Sequence, residues 1–281
     1  MIWIVEPFAV DFLQRALLGG VFVAILCGVV GTWVVVRGMA FLGEALAHGM
    51  LPGVALATVL GFPILVGATL SAAAMSLGIG VLQRRGRLSY DTSIGMLFVA
   101  MLALGVIVIS HSGSFATDAT AILFGDILAV SSADLVLLAV ATAVGVALAA
   151  LAHRSLVALA IDPRVAAVLG LGPRVAQVVL VALVTLAVVA SYQAVGSLLV
   201  VGLLLAPAVA AGQWTSRIPT TMALASLIGA AAVLVGLLMS WHAGTAAGAS
   251  IALVAILFAG LSWAARAARD SLRSSVVAAA A

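Results

Sequence analysis

Runs of about twenty apolar residues follow one another along almost the whole chain, separated by short polar connections. A helix needs roughly 20 apolar residues to cross the hydrocarbon core of a bilayer. The stretch 116–130 is too short and too polar to cross, so we expect a short or re-entrant helix there. The remaining runs predict nine spans, near residues 16–36, 40–60, 62–82, 93–110, 133–152, 174–190, 194–212, 219–240 and 246–264.

The composition excludes a soluble fold. Hydrophobic residues make up 65% of the chain and charged residues 7%, whereas soluble domains carry about 25% charged residues. We therefore predict an all-α fold, a polytopic transmembrane helical bundle of about eight or nine spans, with residues 1–281 as a single domain. The formal charge of +3 is spread over arginines in the connections and does not favour nucleic acid as a partner.

The arginines predict the orientation of the chain. All 12 basic residues are arginines, and every one except Arg15 falls in alternate connections or in the tail. Basic residues accumulate on the cytoplasmic side of membrane proteins, so we expect the N-terminus outside and the C-terminus in the cytoplasm. The short basic tail 265–281, with Arg266, Arg269 and Arg273, suits anionic lipid headgroups.

One acidic residue and one histidine lie inside a predicted span. Glu44 and His48 are four residues apart, so a helix places both side chains on one face. A carboxylate at the bilayer centre costs roughly 2.5–3.5 kcal/mol on insertion scales, and such residues are functional candidates. Pro52 and Gly53 follow within one turn and predict a kink or break. The pair therefore indicates a metal pathway, although a purely structural Glu–His hydrogen bond is the alternative.

The chemistry of the pair suits a divalent metal that must be released. Zinc accepts imidazole nitrogen and carboxylate oxygen, usually four ligands in a tetrahedron, and manganese accepts both with more oxygen. One helix supplies two ligands, and two copies facing a central pathway would supply four. Weaker candidates near the predicted outer mouth are His111, Asp118, Asp126 and His242, each of which can equally be an ordinary solvated loop residue.

The connection from His153 to Pro173 predicts one or two short helices on the cytoplasmic face. Asp162 can cap a helix that begins at Pro163, and Gly170 can end it. This is either an ordinary capped loop or a docking element for a cytosolic partner. The sequence contains no glycine-rich phosphate loop, so ATP hydrolysis, if it drives transport, requires another chain.

Several motifs resemble those of zinc- and manganese-type ABC transporter permeases, the membrane subunits of the metal uptake ABC-3 family. The opening motif is RGMAFLGEALAH at 37–48, followed by LPG at 51–53. Further matches are SYDTSIG at 89–95, LFGDIL at 123–128, QAVG at 193–196, LAPA at 205–208 and AAGA at 246–249. The resemblance covers nearly the whole chain in order.

The resemblance implies an ABC importer permease of the bacterial inner membrane that works as a homodimer. It implies two cytosolic ATPase subunits as partners and an extracytoplasmic metal-binding protein that delivers the ion. Glu44 and His48 match the acidic and histidine positions linked to metal passage, although the family mostly has Asp where Glu44 stands. Region 155–172 resembles the cytoplasmic coupling region, with Asp162, Pro163, Arg164, Ala166 and Gly170 as the residues that contact the ATPase.

These observations predict the permease subunit of an ATP-driven zinc importer, with no catalytic residues and no cofactor of its own. Manganese or iron uptake by the same kind of permease is the first alternative. A proton-coupled secondary transporter, with Glu44 as the proton-coupling group, is the second. An intramembrane metalloprotease is disfavoured, because Glu44 and His48 lack the second histidine of an H-E-x-x-H motif.

Overall fold

The fold consists of helices throughout the part of the chain described here. The computed structural model describes residues 6–85, 89–111 and 125–280, apart from the side chains of 84, 85, 111, 193 and 272–280. The helices are α1 (Asp11–Val36), α2 (Ala40–Gly49), α3 (Leu51–Leu60), α4 (Ile64–Arg85), α5 (Tyr90–His111), α6 (Ser132–Leu151), α7 (His153–Ile161), α8 (Pro163–Val168), α9 (Pro173–Gly212), α10 (Ile218–Ala243) and α11 (Ala247–Ala280). Short 3₁₀ turns occur at Pro7–Ala9 and Ile127–Ala129.

Nine helical segments within the described residues are long and apolar enough to cross a membrane. This confirms the predicted all-α bundle and each predicted span, with small changes at the ends; the first span begins at Asp11, not at residue 16. Of the stretch 116–130, only 125–130 is described, and it forms a single 3₁₀ turn. Which side of the membrane each end faces stays a prediction from the arginines.

The centre of the bundle is α1, which packs against α9 and α10. In the most apolar 18-residue stretch of α1, 72% of the residues are buried, against 17% in the corresponding stretch of α5 at the periphery. Gly31 explains how closely α1 approaches α9, because a Cβ there would overlap the backbone of Leu204. Glycine thus allows two helix backbones to touch at the core, as small residues do in membrane bundles.

Two of the spans are interrupted. The span Ala40–Leu60 divides into α2 and α3 around Met50, next to the predicted position at Pro52 and Gly53. In α9, Gly196 has φ 74° and ψ 165°, a conformation that essentially only glycine adopts. Both ends of α9 lie near the C-terminal end of α1. Gln177, near the start of α9, and Arg37, which follows α1, both interact with the side chain of Tyr90. Gly212, the last residue of α9, lines a small cavity together with Val36, the last residue of α1. The chain therefore turns back at Gly196, and α9 supplies two spans.

Candidate functional site

The centre of the candidate site is one face of α2. The Nε2 atom of His48 lies 2.8 Å from Oε1 of Glu44. The side chain of Glu44 is 39% exposed and that of His48 19% exposed, while the next residues on the opposite face, Ala45 and Leu46, are fully buried. The helix thus presents the carboxylate and the imidazole together on its accessible side, as their spacing predicted.

A phenylalanine from α5 holds the histidine ring from its other side. The centroids of His48 and Phe98 are 5.6 Å apart with an interplanar angle of 72°. Phe98 also contacts Phe41 edge-on, with centroids 5.5 Å apart. The imidazole is therefore fixed between a carboxylate and an aromatic ring. The sequence pattern did not single out Phe98, because nothing in the spacing along α5 marks it as a neighbour of α2.

The helix break lies directly after the pair and is supported by α4. Pro52 has no N–H to donate to the carbonyl of His48 one turn earlier. The hydroxyl of Ser71 donates a hydrogen bond of 2.8 Å to the Gly49 carbonyl. A Cβ at Gly53 would overlap the carbonyl of Gly67, so α3 and α4 touch here. Neighbouring helices commonly stabilise interrupted backbone at membrane depth in this way.

A single copy of the chain supplies two ligands of the right chemistry. Carboxylate oxygen and imidazole nitrogen suit zinc, manganese and iron. Among the described residues no group of three or more His, Cys, Asp or Glu side chains is arranged to hold a metal. The described part of one chain therefore brings together two candidate ligands without a third.

Of the weaker candidates, the two whose side chains the structure describes, Asp126 and His242, form no metal-binding group with this pair. Asp118 lies outside the described residues, as does the side chain of His111, whose backbone ends α5. The exposed Asp126 caps the turn that follows it, with Oδ1 accepting from the N–H of Leu128 at 3.2 Å. His242 is exposed in the last turn of α10. Asp126 thus has a local capping role at the start of this turn.

The predicted cytoplasmic helices form as expected from their caps. Asp162 accepts a hydrogen bond of 2.6 Å from the N–H of Arg164, with Pro163 in the first turn of α8. Ala166 is buried, and Gly170 follows the helix with φ 70°. The Arg37 guanidinium donates to the carbonyl of Leu159 on α7 at 2.7 Å. This bond ties the end of α1, three residues before α2, to the short helices.

A helical bundle with nine candidate spans in its described part, and a carboxylate–imidazole pair at a helix break, is the architecture expected of a transporter's membrane subunit. Comparison with known proteins specifies the class further. The model of the ABC 3 transport family matches residues 9–265, and the chain belongs to this family. It is a multi-pass permease of the bacterial inner membrane in a metal-uptake ABC transporter, and the ATPase is a separate subunit.

Its relatives are named for two metals. The chain is 38% identical to the manganese transport system membrane protein MntC of Listeria innocua, over 88% of each chain. It is 33% identical to a probable iron transport system membrane protein of Haemophilus influenzae, over 91% of this chain and 94% of the relative. The solved structure of PsaBC from Streptococcus pneumoniae in complex with Fab matches with a TM-score of 0.82 and 33% identity, covering 94% of this chain and 95% of that one.

Proposed function

We propose that this permease imports manganese, with iron as the alternative substrate. The support is the names of its relatives, which specify manganese and iron transport. The preference for zinc drawn from the sequence finds no support among them, so the alternative of the sequence analysis becomes the main proposal. A carboxylate beside an imidazole is compatible with this change, because manganese accepts nitrogen and oxygen ligands.

The observation that carries the mechanism is the 2.8 Å pair of Glu44 and His48 on the accessible face of α2. In the absence of metal, the two groups hold each other. An arriving cation would replace this hydrogen bond with two metal–ligand bonds, and the proton held between Nε2 and Oε1 would move to Nδ1 of the imidazole or leave to water. The negative carboxylate attracts the cation strongly where water is scarce. Since two ligands from one copy bind a metal incompletely, the ion can be released once a second copy or bound water no longer completes its coordination, as transport requires.

A homodimer would double this site. Two copies with α2 facing a shared pathway bring four ligands to one ion, two carboxylates and two imidazoles. Exposed apolar surface beside the pair supports this arrangement, because Phe41, on the same face of α2, is 42% exposed and available for contact with a second copy. Metal would arrive from an extracytoplasmic binding protein at the end of the bundle opposite the arginine-rich connections.

The region 155–172 would transmit the motion of two cytosolic ATPase subunits. Both of its helices are short; α8 is capped by Asp162, and α7, which has no side-chain cap, is connected to the first span by the bond between Arg37 and Leu159. Arg37 stands three residues before α2, so movement of α7 has a direct route to the helix that carries the pair. Arg164 and Gly170 are exposed there, and Asp162 is half-buried, so contact with a partner would fall mainly on the first two.

Competition uptake tests the substrate. Membrane vesicles containing the permease, its ATPase and its binding protein take up radioactive manganese while unlabelled manganese, iron or zinc is added. We expect manganese to compete best and iron next. Stronger competition by zinc would restore the original preference for zinc.

Energy coupling has its own test. Depletion of ATP should stop uptake, while collapse of the proton gradient at constant ATP should not. The reverse result would favour the proton-coupled alternative, against which membership of the ABC 3 transport family already argues.

A further inference from the structure

A long groove separates two peripheral helices of the bundle. It has a volume of about 790 Å³ and lies between α4 and α6, which both pack against α9. The small side chains of Ala73 and Ala182 are exposed in it. None of its lining residues belongs to α2 or α3, so the groove is separate from the Glu44–His48 pair and independent of the function proposed for it.

The two ends of the groove differ in chemistry. One end is aliphatic, with Leu65, Leu137 and Val189. The other end is lined by three polar residues, Gln83, Tyr90 and Gln177. The groove therefore runs along the membrane normal with its apolar end towards the predicted outer side and its polar end towards the predicted cytoplasmic side.

Two polar atoms at the polar end lack hydrogen bonds. The amide nitrogen of Gln83 and the hydroxyl of Tyr90 are buried without a partner. The side chain of Gln177 lies near the Tyr90 hydroxyl, but the hydroxyl forms no hydrogen bond of normal geometry with Gln177 or any other residue. Because buried polar groups are nearly always hydrogen-bonded, these donors indicate a ligand with oxygen acceptors, reached by a small rotation of either side chain.

Several basic residues lie near the same end along the chain. Arg84 and Arg85 follow Gln83 directly in the sequence, and Arg174 is exposed in the first turn of α9, three residues before Gln177. The guanidinium of Arg37 also acts electrostatically on Tyr90. By the arginine distribution this end faces the cytoplasm, where anionic lipids attract basic residues with about 1 kcal/mol each.

The volume distinguishes the possible occupants. A helix of 20 residues is about 30 Å long and at least about 10 Å wide, so it fills roughly 2,400 Å³, far more than the groove. A methylene group takes about the space of one water molecule, so a chain of about sixteen carbons takes roughly 500 Å³. The groove accommodates a lipid chain and is too small for a helix.

We propose that this groove binds one acyl chain of an anionic phospholipid from the inner leaflet. The chain lies along α9 between α4 and α6. The phosphate and ester oxygens lie at the polar end, where Gln83 and Tyr90 donate hydrogen bonds and Arg174 supplies charge.

Photochemical labelling tests this proposal on the full chain in lipid nanodiscs. Phosphatidylglycerol and phosphatidylcholine that carry the same diazirine in the acyl chain are compared, and labelled peptides are identified by mass spectrometry. We expect labels on the groove faces of α4, α6 and α9, with phosphatidylglycerol labelling more. Ala73→Phe and Ala182→Phe should each reduce this label, whereas Ala74→Phe, an exposed neighbour outside the groove, should not.

A matched pair of arginine variants tests whether positive charge at the polar end selects the anionic lipid. Arg174→Gln should lower the ratio of phosphatidylglycerol to phosphatidylcholine labelling by about fivefold, the factor for one basic residue at a membrane surface. Arg217→Gln, an exposed arginine before α10, should leave the ratio unchanged. Unchanged labelling in both groove-filling variants would overturn the proposal, as would equal labelling by the two lipids. Cross-links to a second copy of the chain in place of lipid would also overturn it.

Discussion

The two helix interruptions in this bundle lie in very different surroundings. The break between α2 and α3 follows Glu44 and His48, whose side chains reach the accessible face. The turn at Gly196 lies in α9, which contains no acidic residue and no histidine, and both Val195 and Ser197 beside it are buried. An interrupted helix inside a membrane is therefore not by itself an ion site; the side chains next to it decide its role.

The two interruptions also differ in how tightly their backbones are packed. At Gly196 the backbone of Gly125 approaches so closely that a Cβ on Gly125 would overlap the Gly196 nitrogen. At the first break a hydroxyl from Ser71 supports the carbonyl of Gly49, and the opposite side stays accessible. We therefore assign the turn at Gly196 to the maintenance of the fold, and we propose that the break after His48 provides the route for metal.

The largest expected effect comes from removing either ligand. Glu44→Gln and His48→Gln should each lower metal uptake by more than about 100-fold, since even residues that only support metal ligands are worth 10–100-fold in affinity or activity. Membrane content and melting temperature should stay near wild type. Uptake into cells, normalised to the amount of permease, measures this.

The matched control for that experiment is another pair one helical turn apart. Asp11 and Arg15 form an ion pair of 2.6 Å at the start of α1, with exposed side chains. Exposed ion pairs contribute little, so Asp11→Asn should leave uptake unchanged. An equal loss in the control would show that the effect of Glu44→Gln is not specific to the metal pair.

The second effect concerns stability rather than ion handling. Gly196→Ala should destabilise the protein by about 1–3 kcal/mol, because its backbone conformation strains any residue with a Cβ. Uptake should then fall only as the amount of folded protein falls, and the preference among metals should not change. Gly260→Ala, in open space on α11, is the control; thermal unfolding in detergent compares the two, and a changed metal preference in Gly196→Ala would contradict the division of roles.

A smaller effect should follow from shortening the acidic ligand. Glu44→Asp withdraws the carboxylate by about one C–C bond, roughly 1.5 Å, so its contact with His48 lengthens. Transport should continue, with the ratio of manganese to zinc uptake changed by a few-fold. Identical competition curves for wild type and variant would show that the length of this side chain has no part in metal choice.

The smallest effect should come from the aromatic neighbour. Phe98→Leu removes the edge-on contact with His48, and aromatic pairs of this kind contribute about 0.5–1.5 kcal/mol. Because leucine retains part of the packing against the ring, the apparent affinity for metal should weaken by only about twofold, the lower end of this range, with the maximal uptake rate less affected. Phe98→Tyr should retain most of the affinity, and an equal loss in both variants would argue against a role for the ring itself.

Much of the fold was predictable because hydrocarbon length and apolar composition determine where spans begin and end. The pairing of Glu44 with His48 was also predictable, since both lie on one helix and local spacing fixes their distance. Contacts between helices were not: neither Phe98 beside His48 nor Gly125 against Gly196 follows from periodicity along one helix. The turn within α9 was predictable as the boundary between the spans 174–190 and 194–212, where the polar residues 191–193 lie. That Gly196 makes the turn was not predictable.

The central claim is that metal passes between Glu44 and His48. It is tested most directly by uptake of radioactive manganese into cells that express the double variant Glu44→Ala, His48→Ala, at a membrane content equal to wild type. The account predicts uptake no higher than in cells without the permease. Full uptake by the double variant would contradict it.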